Sequence, residues 1–97
     1  MSNKNILKHD ETKHLLYFSF SEGEAYVSYN IENEIWNLNY SLVSEELRGQ
    51  GIAKDLVQQS LDFVLSKNIK IKISCSYIDK IFNKNLHKYG ILKEYNS

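Results

Sequence analysis

At 97 residues, with a 42% hydrophobic share that includes seven Tyr, four Phe and one Trp, the chain is sized for a single domain over residues 1–97 with one core. Lys and Arg together number twelve, as do Asp and Glu, so no global field draws the chain to nucleic acid or a membrane surface, and no apolar run nears the roughly 20 residues that span a bilayer. A single cysteine excludes an internal disulfide and, with no export signal in the sequence, points to a reducing, cytoplasmic setting; His9, His14 and His87 match no metal-ligand spacing, so no metal is expected.

Ile6 to His9 reads as a short first strand, followed by a turn at Asp10-Glu11-Thr12-Lys13. From His14 to Phe20, the residues Leu16, Phe18 and Phe20 fall on one face of a strand, with Tyr17 and Ser19 opposite. Ser21 to Glu24 is a turn in which Gly23 supplies an unusual φ. Ala25, Val27, Tyr29 and Ile31 then alternate with Tyr26, Ser28 and Asn30, and Glu32-Asn33 closes a tight hairpin with Asn33 suited to the left-handed conformation. Trp36, Leu38, Tyr40 and Leu42 continue the alternation against Asn37, Asn39 and Ser41. The phase breaks at Val43, which marks either a one-residue β-bulge or a strand that ends at Leu42.

Between that strand and the longest helix-periodic run lies Arg48-Gly49-Gln50-Gly51-Ile52-Ala53-Lys54, with two of the four glycines. A strand that opens through Gly-x-Gly into a helix presents several backbone N–H groups with no intrahelical acceptor. They point one way and add to the positive end of the helix dipole, so the place suits a phosphate. A single helix from Glu45 to Ser66 capped by Ser44 would hold both glycines near its start, at about 1 kcal/mol each relative to alanine. A loop accounts for them better, because glycine serves where the backbone needs positive φ or must approach a ligand closely. Spacing excludes a Walker A loop, and Lys54 stands where a dinucleotide fingerprint needs a third small residue. Arg48 is the one arginine among the twelve cationic residues, a planar, multi-donor head in a chain that otherwise uses lysine. Lys54 sits in the first helical turn, where a cation opposes the dipole unless an anion is near.

Ala53, Leu56, Val57, Leu61, Val64 and Leu65 form one stripe of a helix of about 15 residues, with Asn68 as a left-handed C-cap. Lys70 to Cys75 follows as a strand with Ile71, Ile73 and Cys75 in phase, and the order strand, helix, strand argues for a right-handed parallel crossover. Cys75 then stands at the carboxyl end of that strand, the edge where ligands bind in such sheets, unless it is an ordinary buried cysteine packed as a small apolar residue. Ser76 to Asp79 has the spacing of a capping box with Asp in place of Glu. A second helix is therefore expected from Tyr77, burying Ile78, Ile81, Phe82 and Leu86, with Gly90 ending it or the turn after it. The tail from Ile91 to Ser97 is ambiguous.

The spacing Arg48-x-x-Gly51-x-Ala53 fits the signature Arg/Gln-x-x-Gly-x-Gly/Ala, and Val43 to Ala53 with Leu56-Val57 and later Cys75-Ser76-Tyr77 resembles the small, single-domain GNAT-like N-acetyltransferases. The resemblance implies an α/β (α+β type) fold, a mixed sheet with antiparallel strands leading into one parallel pair, flanked by two helices. It implies transfer of an acetyl group from acetyl-coenzyme A (acetyl-CoA) to a small-molecule or protein amine. Arg48, Gly49, Gln50, Gly51, Ile52, Ala53 and Lys54 would then hold the pyrophosphate, and Leu42 and Val43 would line a slot for the pantetheine arm, opened by the bulge. Cys75 would lie near the thioester. The small family carries cysteine here, which allows an acetyl-cysteine intermediate, with the amino end of the second helix favouring thiolate.

Larger relatives place a tyrosine acid one turn into the second helix. Phe82 takes that place here and cannot donate; Tyr77 is either a substitute acid or a packing residue, and Glu45 and Glu46 are the candidates for a base that no motif marks. The chain also departs from the small family in carrying Tyr40-Ser41 for His-Thr, and Ser44 and Ile73 for proline. Its shortness implies a shallow acceptor site, or one completed by a second subunit or a macromolecular substrate; monomer and homodimer both remain open. Two rival readings are a coenzyme A-binding or sensing module without turnover, and an interaction domain whose glycine loop is only a tight turn.

Overall fold

The structure, a computed structural model, describes residues 5–92. Five strands form one sheet in the order β1 (Lys8–Asp10), β2 (Leu15–Ser19), β3 (Glu24–Glu32), β4 (Ile35–Val43) and β5 (Ile71–Ile73). Neighbours are antiparallel except for the β4–β5 pair, which is parallel and joined by α1 (Ile52–Ser66). After β5 come α2 (Ser76–Lys84) and the single-turn α3 (Leu86–Tyr89), divided at Asn85. This is the mixed GNAT-like sheet that the resemblance implies, with its second helix broken in two.

Alternation along the strands explains which face is covered. Leu16 and Phe18 on β2, Ala25, Val27 and Tyr29 on β3, Leu38 on β4 and Ile71 on β5 are buried together. Against them pack Leu56, Val57, Leu61 and Val64 of α1, which recur at helical spacing, and Ile78, Ile81 and Phe82 of α2. The other face stays wet. There Asn39 accepts a hydrogen bond from Ser28 at 2.7 Å and donates one to Asn30 at 2.9 Å.

The ends of the elements follow local chemistry. Asp10 Oδ1 accepts from the backbone N–H groups of Thr12 and Lys13, and closes the β1–β2 turn. The β3–β4 hairpin turns on Asn33 and Glu34, both at positive φ (53° and 68°), one residue later than expected. Helix α1 stops in a Schellman arrangement at Asn68 (φ 58°), where Ile69 N–H donates to Val64 O and Asn68 N–H to Leu65 O.

Several expectations are corrected. Strand β1 runs from Lys8 to Asp10, not from Ile6. Gly23 has no positive φ; its lack of a Cβ matters instead, since one built there would lie 2.7 Å from Ser44 Cβ. The phase break in β4 lies at Asn39 rather than Val43: Tyr29 pairs Leu38 and Ser28 pairs Tyr40, which leaves Asn39 as the extra residue. Beyond it the faces exchange. Ser41 and Val43 join Leu38 on the core side, opposite Val27 and Ala25, while Tyr40 and Leu42 turn outward opposite Ser28 and Tyr26. Apolar side chains on the outer face disguised this shift in the sequence. β5 ends at Ile73, so Cys75 is the N-cap residue of α2 rather than a strand residue, and α2 starts at Ser76 with no side-chain cap. Leu86 is half exposed. The expected tail overlaps residues 93–97, which lie outside the described residues.

Candidate functional site

Parallel pairing of β4 with β5 covers only Trp36–Ile71, Asn37–Lys72 and Leu38–Ile73. The last link is Leu38 O, which accepts from Ser74 N–H at 3.0 Å and from Cys75 N–H at 3.4 Å. From Asn39 onward β4 follows β3 and leaves β5. Leu38 spends its carbonyl on the β5 side, so its pair with Tyr29 is a non-hydrogen-bonded one; ladder parity makes Val27–Ser41 and Ala25–Val43 the same. The backbone groups of Ser41 and Val43 therefore turn into the gap between the parting strands. The two strands thus part at a bulge, which lies three to four residues before the position that the sequence pattern suggested.

The loop that follows is held at both ends. Ser44 Oγ accepts from Glu24 N–H at 2.7 Å, and Ser44 N–H donates to Glu24 O at 2.8 Å. Residues Glu45–Leu47 make one 3₁₀ turn, and Leu47 is buried, which docks the turn on the core. Gly49 (φ 82°) and Gly51 (φ 75°) take left-handed conformations. A Cβ on either would meet nothing within 4 Å, so backbone angle, not crowding, selects glycine.

Gly51 is the N-cap of α1, without a side-chain capping bond, and the first intrahelical bond is Asp55 N–H to Gly51 O at 3.2 Å. The amides of Gly51, Ile52, Ala53 and Lys54 consequently have no acceptor in the helix, and none among the described residues outside it. Arg48 Nε donates to Val43 O at 3.1 Å, which ties the loop to the slot and leaves both terminal nitrogens of the guanidinium for another partner.

Two hollows meet at this tie. One, of about 230 Å³, lies before the helix opening against Val43, Arg48, Gly49, Gly51, Ala53 and Tyr77. The other, of about 290 Å³, runs along Tyr40 to Val43 and shares Val43, Arg48, Ala53 and Tyr77 with the first. A hollow of about 330 Å³ over β2 and β3 has more volume but includes no loop residue, so it is set aside on chemistry. The bared amides, the helix dipole, Arg48 and Lys54 give the first hollow the donors and positive charge that suit an anion, and the second hollow continues from it along β4.

Of the residues that the sequence singles out, Val43, Arg48, Gly49, Gly51, Ile52, Ala53 and Lys54 line the loop hollow, and Leu42 lines the channel. Gln50 is exposed and lies outside both linings. Cys75 is half-buried, packs against the core, and has its Sγ 3.4 Å from Ser41 Oγ. Phe82 is fully buried, and Glu45 and Glu46 are exposed on the 3₁₀ turn. One feature escaped the sequence reading: Ser41 reaches Cys75 only because the bulge flips its face. Tyr77, half-buried in the first turn of α2, packs against the core and lines both hollows. Among the described residues no group of three or more His, Cys, Asp or Glu could hold a metal ion, and no helix is long and apolar enough to cross a membrane.

A family model described as GCN5-related N-acetyl-transferase matches residues 17–91. Protein NATD1 of Gallus gallus is 36% identical over 55 residues, which covers 57% of this chain and 50% of that protein. Protein NATD1 of Homo sapiens is 36% identical over 55 residues, 57% of this chain and 49% of its own. The chain spans about half the length of the curated relatives it matches. Among solved structures, the NMR solution structure of a GCN5-like protein from Staphylococcus aureus, described as a candidate N-acetyltransferase, superposes with a TM-score of 0.69. It covers 99% of this chain and 94% of that one at 23% identity, a likeness of fold.

Proposed function

The chain belongs to the GCN5-related N-acetyltransferase family, and from that premise we propose that it binds acetyl-CoA and transfers the acetyl group to an amine acceptor, a small molecule or a protein. The observation that supports this most is the run of unpartnered amides from Gly51 to Lys54, facing a hollow that continues along Val43 toward the parting of β4 and β5. The residues fit the coenzyme. Arg48, Lys54 and the amides of Gly51, Ile52 and Ala53 hold its diphosphate, and Leu42 and Val43 flank the pantetheine arm. When bound, the coenzyme supplies an activated thioester. The Val43 N–H, turned into the gap, donates to the carbonyl oxygen as negative charge grows there. Tyr77, beside both hollows, is the acid available to a departing thiolate.

Cys75 offers a covalent route, favoured by its position across the gap from Ser41. Its thiolate attacks the thioester carbonyl, a new C–S bond forms, and coenzyme A leaves as thiolate. The acceptor amine then attacks the acetyl-cysteine, forms the amide, loses its proton and returns the thiolate. A second reading, coenzyme A binding without turnover, is favoured by the burial of Phe82 and the exposure of both glutamates near the loop, which supply neither acid nor base.

A thermal-shift titration with coenzyme A and acetyl-CoA tests the shared premise. Ligand at 100 times its Kd stabilises by ~2.7 kcal/mol, and each kcal/mol corresponds to ~4–8 °C in a domain this small. No shift with either ligand removes both readings. Thiol release on adding a panel of amines to the acetyl-CoA complex separates the enzyme from the binding module.

A further inference from the structure

Aromatic side chains gather on the face of the sheet that no helix among the described residues covers. Tyr17 and Tyr26 are directly opposed on β2 and β3, Tyr26 faces Leu42 on β4, and the Tyr26 and Tyr40 rings lie 6.3 Å apart. The hydroxyls of these three tyrosines make no hydrogen bond among the described residues, and Tyr40 is 51% exposed. Tyr17 and Tyr26 line the hollow of about 330 Å³ over β2 and β3, whose charged residues are Asp10, Lys13 and Glu24. Tyr40 and Leu42, which Tyr26 faces, line the hollow along β4, so the surface runs unbroken from β2 to the parting of β4 and β5. The charge beside Tyr26 is negative. Glu22 and Glu24 flank Gly23, Glu46 Oε1 would lie 3.5 Å from a Cβ there, and neither these three nor Glu45 form an ion pair among the described residues. The glycine loop carries Arg48 and Lys54, so a net charge of zero conceals two neighbouring fields of opposite sign.

We propose that this face docks the acceptor as an extended, basic protein segment. Its target lysine enters the parting of β4 and β5, while a second cationic side chain about three residues away rests on Tyr17 and Tyr26 beside Glu24. The inference rests on the acetyl-transfer reading above and names its acceptor class. Charge selects the occupant, because ring faces and free carboxylates both draw a cation and repel the coenzyme's phosphates. Shape selects a length of chain, since an open sheet face does not enclose a small molecule. The spacing comes from the sheet: Tyr17, Tyr26 and Leu42 stand on three adjacent strands, roughly 10 Å across, which an extended chain covers in about three residues. The acetyl group ends on the lysine nitrogen, which gives up a proton, and coenzyme A leaves as the thiol.

The test uses the full chain and two short labelled peptides, one with a lysine and an arginine three residues apart, the other with glutamine in place of the arginine. By fluorescence anisotropy at low salt the wild-type protein binds the dibasic peptide about tenfold more tightly, and the ratio shrinks at high salt. Tyr26→Leu/Glu24→Gln brings the ratio close to one, with far-UV circular dichroism and the coenzyme-induced thermal shift unchanged; residue 24 keeps its backbone bonds to Ser44 in either form. Glu32→Gln, which removes the same charge at the β3–β4 hairpin, keeps the ratio. With acetyl-CoA added, mass spectrometry finds the acetyl group on the lysine of the dibasic peptide first. Equal wild-type affinity for the two peptides, a ratio untouched by the double variant, or faster acetylation of a free diamine than of the dibasic peptide overturns this inference alone. Selective docking with no acetyl gained keeps the docking face and removes the transfer reading, so the two fail separately.

Discussion

Ser41 Oγ stands 3.4 Å from Cys75 Sγ, across the point where β4 and β5 have stopped pairing. One comes from the bulged strand, the other caps α2, and both border the gap into which Val43 turns its backbone. If the covalent route operates, intact mass after incubation with acetyl-CoA shows one added acetyl group, and Cys75→Ala loses it. Acetyl transfer that continues undiminished in Cys75→Ala rules out that route and leaves direct attack by the amine. Ser41→Ala should keep the fold, since a partly exposed hydrogen bond contributes only about 0.5–1.5 kcal/mol.

Gly51 separates a backbone role from a ligand role. At φ 75° any side chain is strained, by about 1–2 kcal/mol. Gly51→Ala and Gly51→Asp should both melt earlier, by roughly 4–8 °C per kcal/mol. The open space at this Cβ lets alanine keep the coenzyme-induced shift. Aspartate sets a negative charge before the bared amides and should abolish the shift, with far-UV circular dichroism unchanged. Equal loss of the shift in both variants would mean that loop geometry, not the anion site, was damaged.

Gly23 is a matter of space alone. A methyl group there lies 2.7 Å from Ser44 Cβ and 2.8 Å from its Oγ, so Gly23→Ala must push Ser44 off Glu24. Overpacking of this kind costs roughly 1–3 kcal/mol. Gly23→Ala/Ser44→Gly should recover part of it, a non-additive pair in chemical denaturation. Additive losses would show that the two do not meet.

The elements that repeat a pattern were legible in the sequence. Helix α1 needs only its stripe and Asn68 to be bounded, and Gly49 and Gly51 carry the positive φ that argues for a loop over a capped helix. Irregular features were not. The bulge at Asn39 hides because Tyr40 and Leu42, though outward, keep an unbroken apolar alternation. Gly23 has the turn chemistry of a positive-φ glycine yet is chosen for a contact with Ser44, twenty-one positions along the chain. Ser76 has capping spacing, but its strand stops two residues early and Cys75 takes the cap. The concavity between α1 and α2 is a tertiary fact, since Lys54 and Gln58 meet Lys80 and Lys84 only when α1 packs on α2.

Two buried tyrosines should govern stability in alkali. Tyr29 and Tyr89 are 3% and 2% exposed, and burial raises both above the ordinary 10.0. The negative charges of Glu11 and Asp10 add to the effect at Tyr29. At Tyr89 the Asp62 carboxylate, which accepts the phenol at 2.7 Å, does the same. The folded state therefore holds these protons more tightly than the unfolded chain. Their contribution is fully present below pH 10.0 and is lost as pH rises through the higher folded values. The urea midpoint should be level on the neutral side and fall in alkali, by up to ~1.4 kcal/mol per pH unit for each tyrosine. Phenolate absorbance should lag for these two of the seven tyrosines until the chain unfolds. Tyr29→Phe and Tyr89→Phe should each flatten the alkaline slope, and a slope unchanged by both would locate the alkaline sensitivity elsewhere.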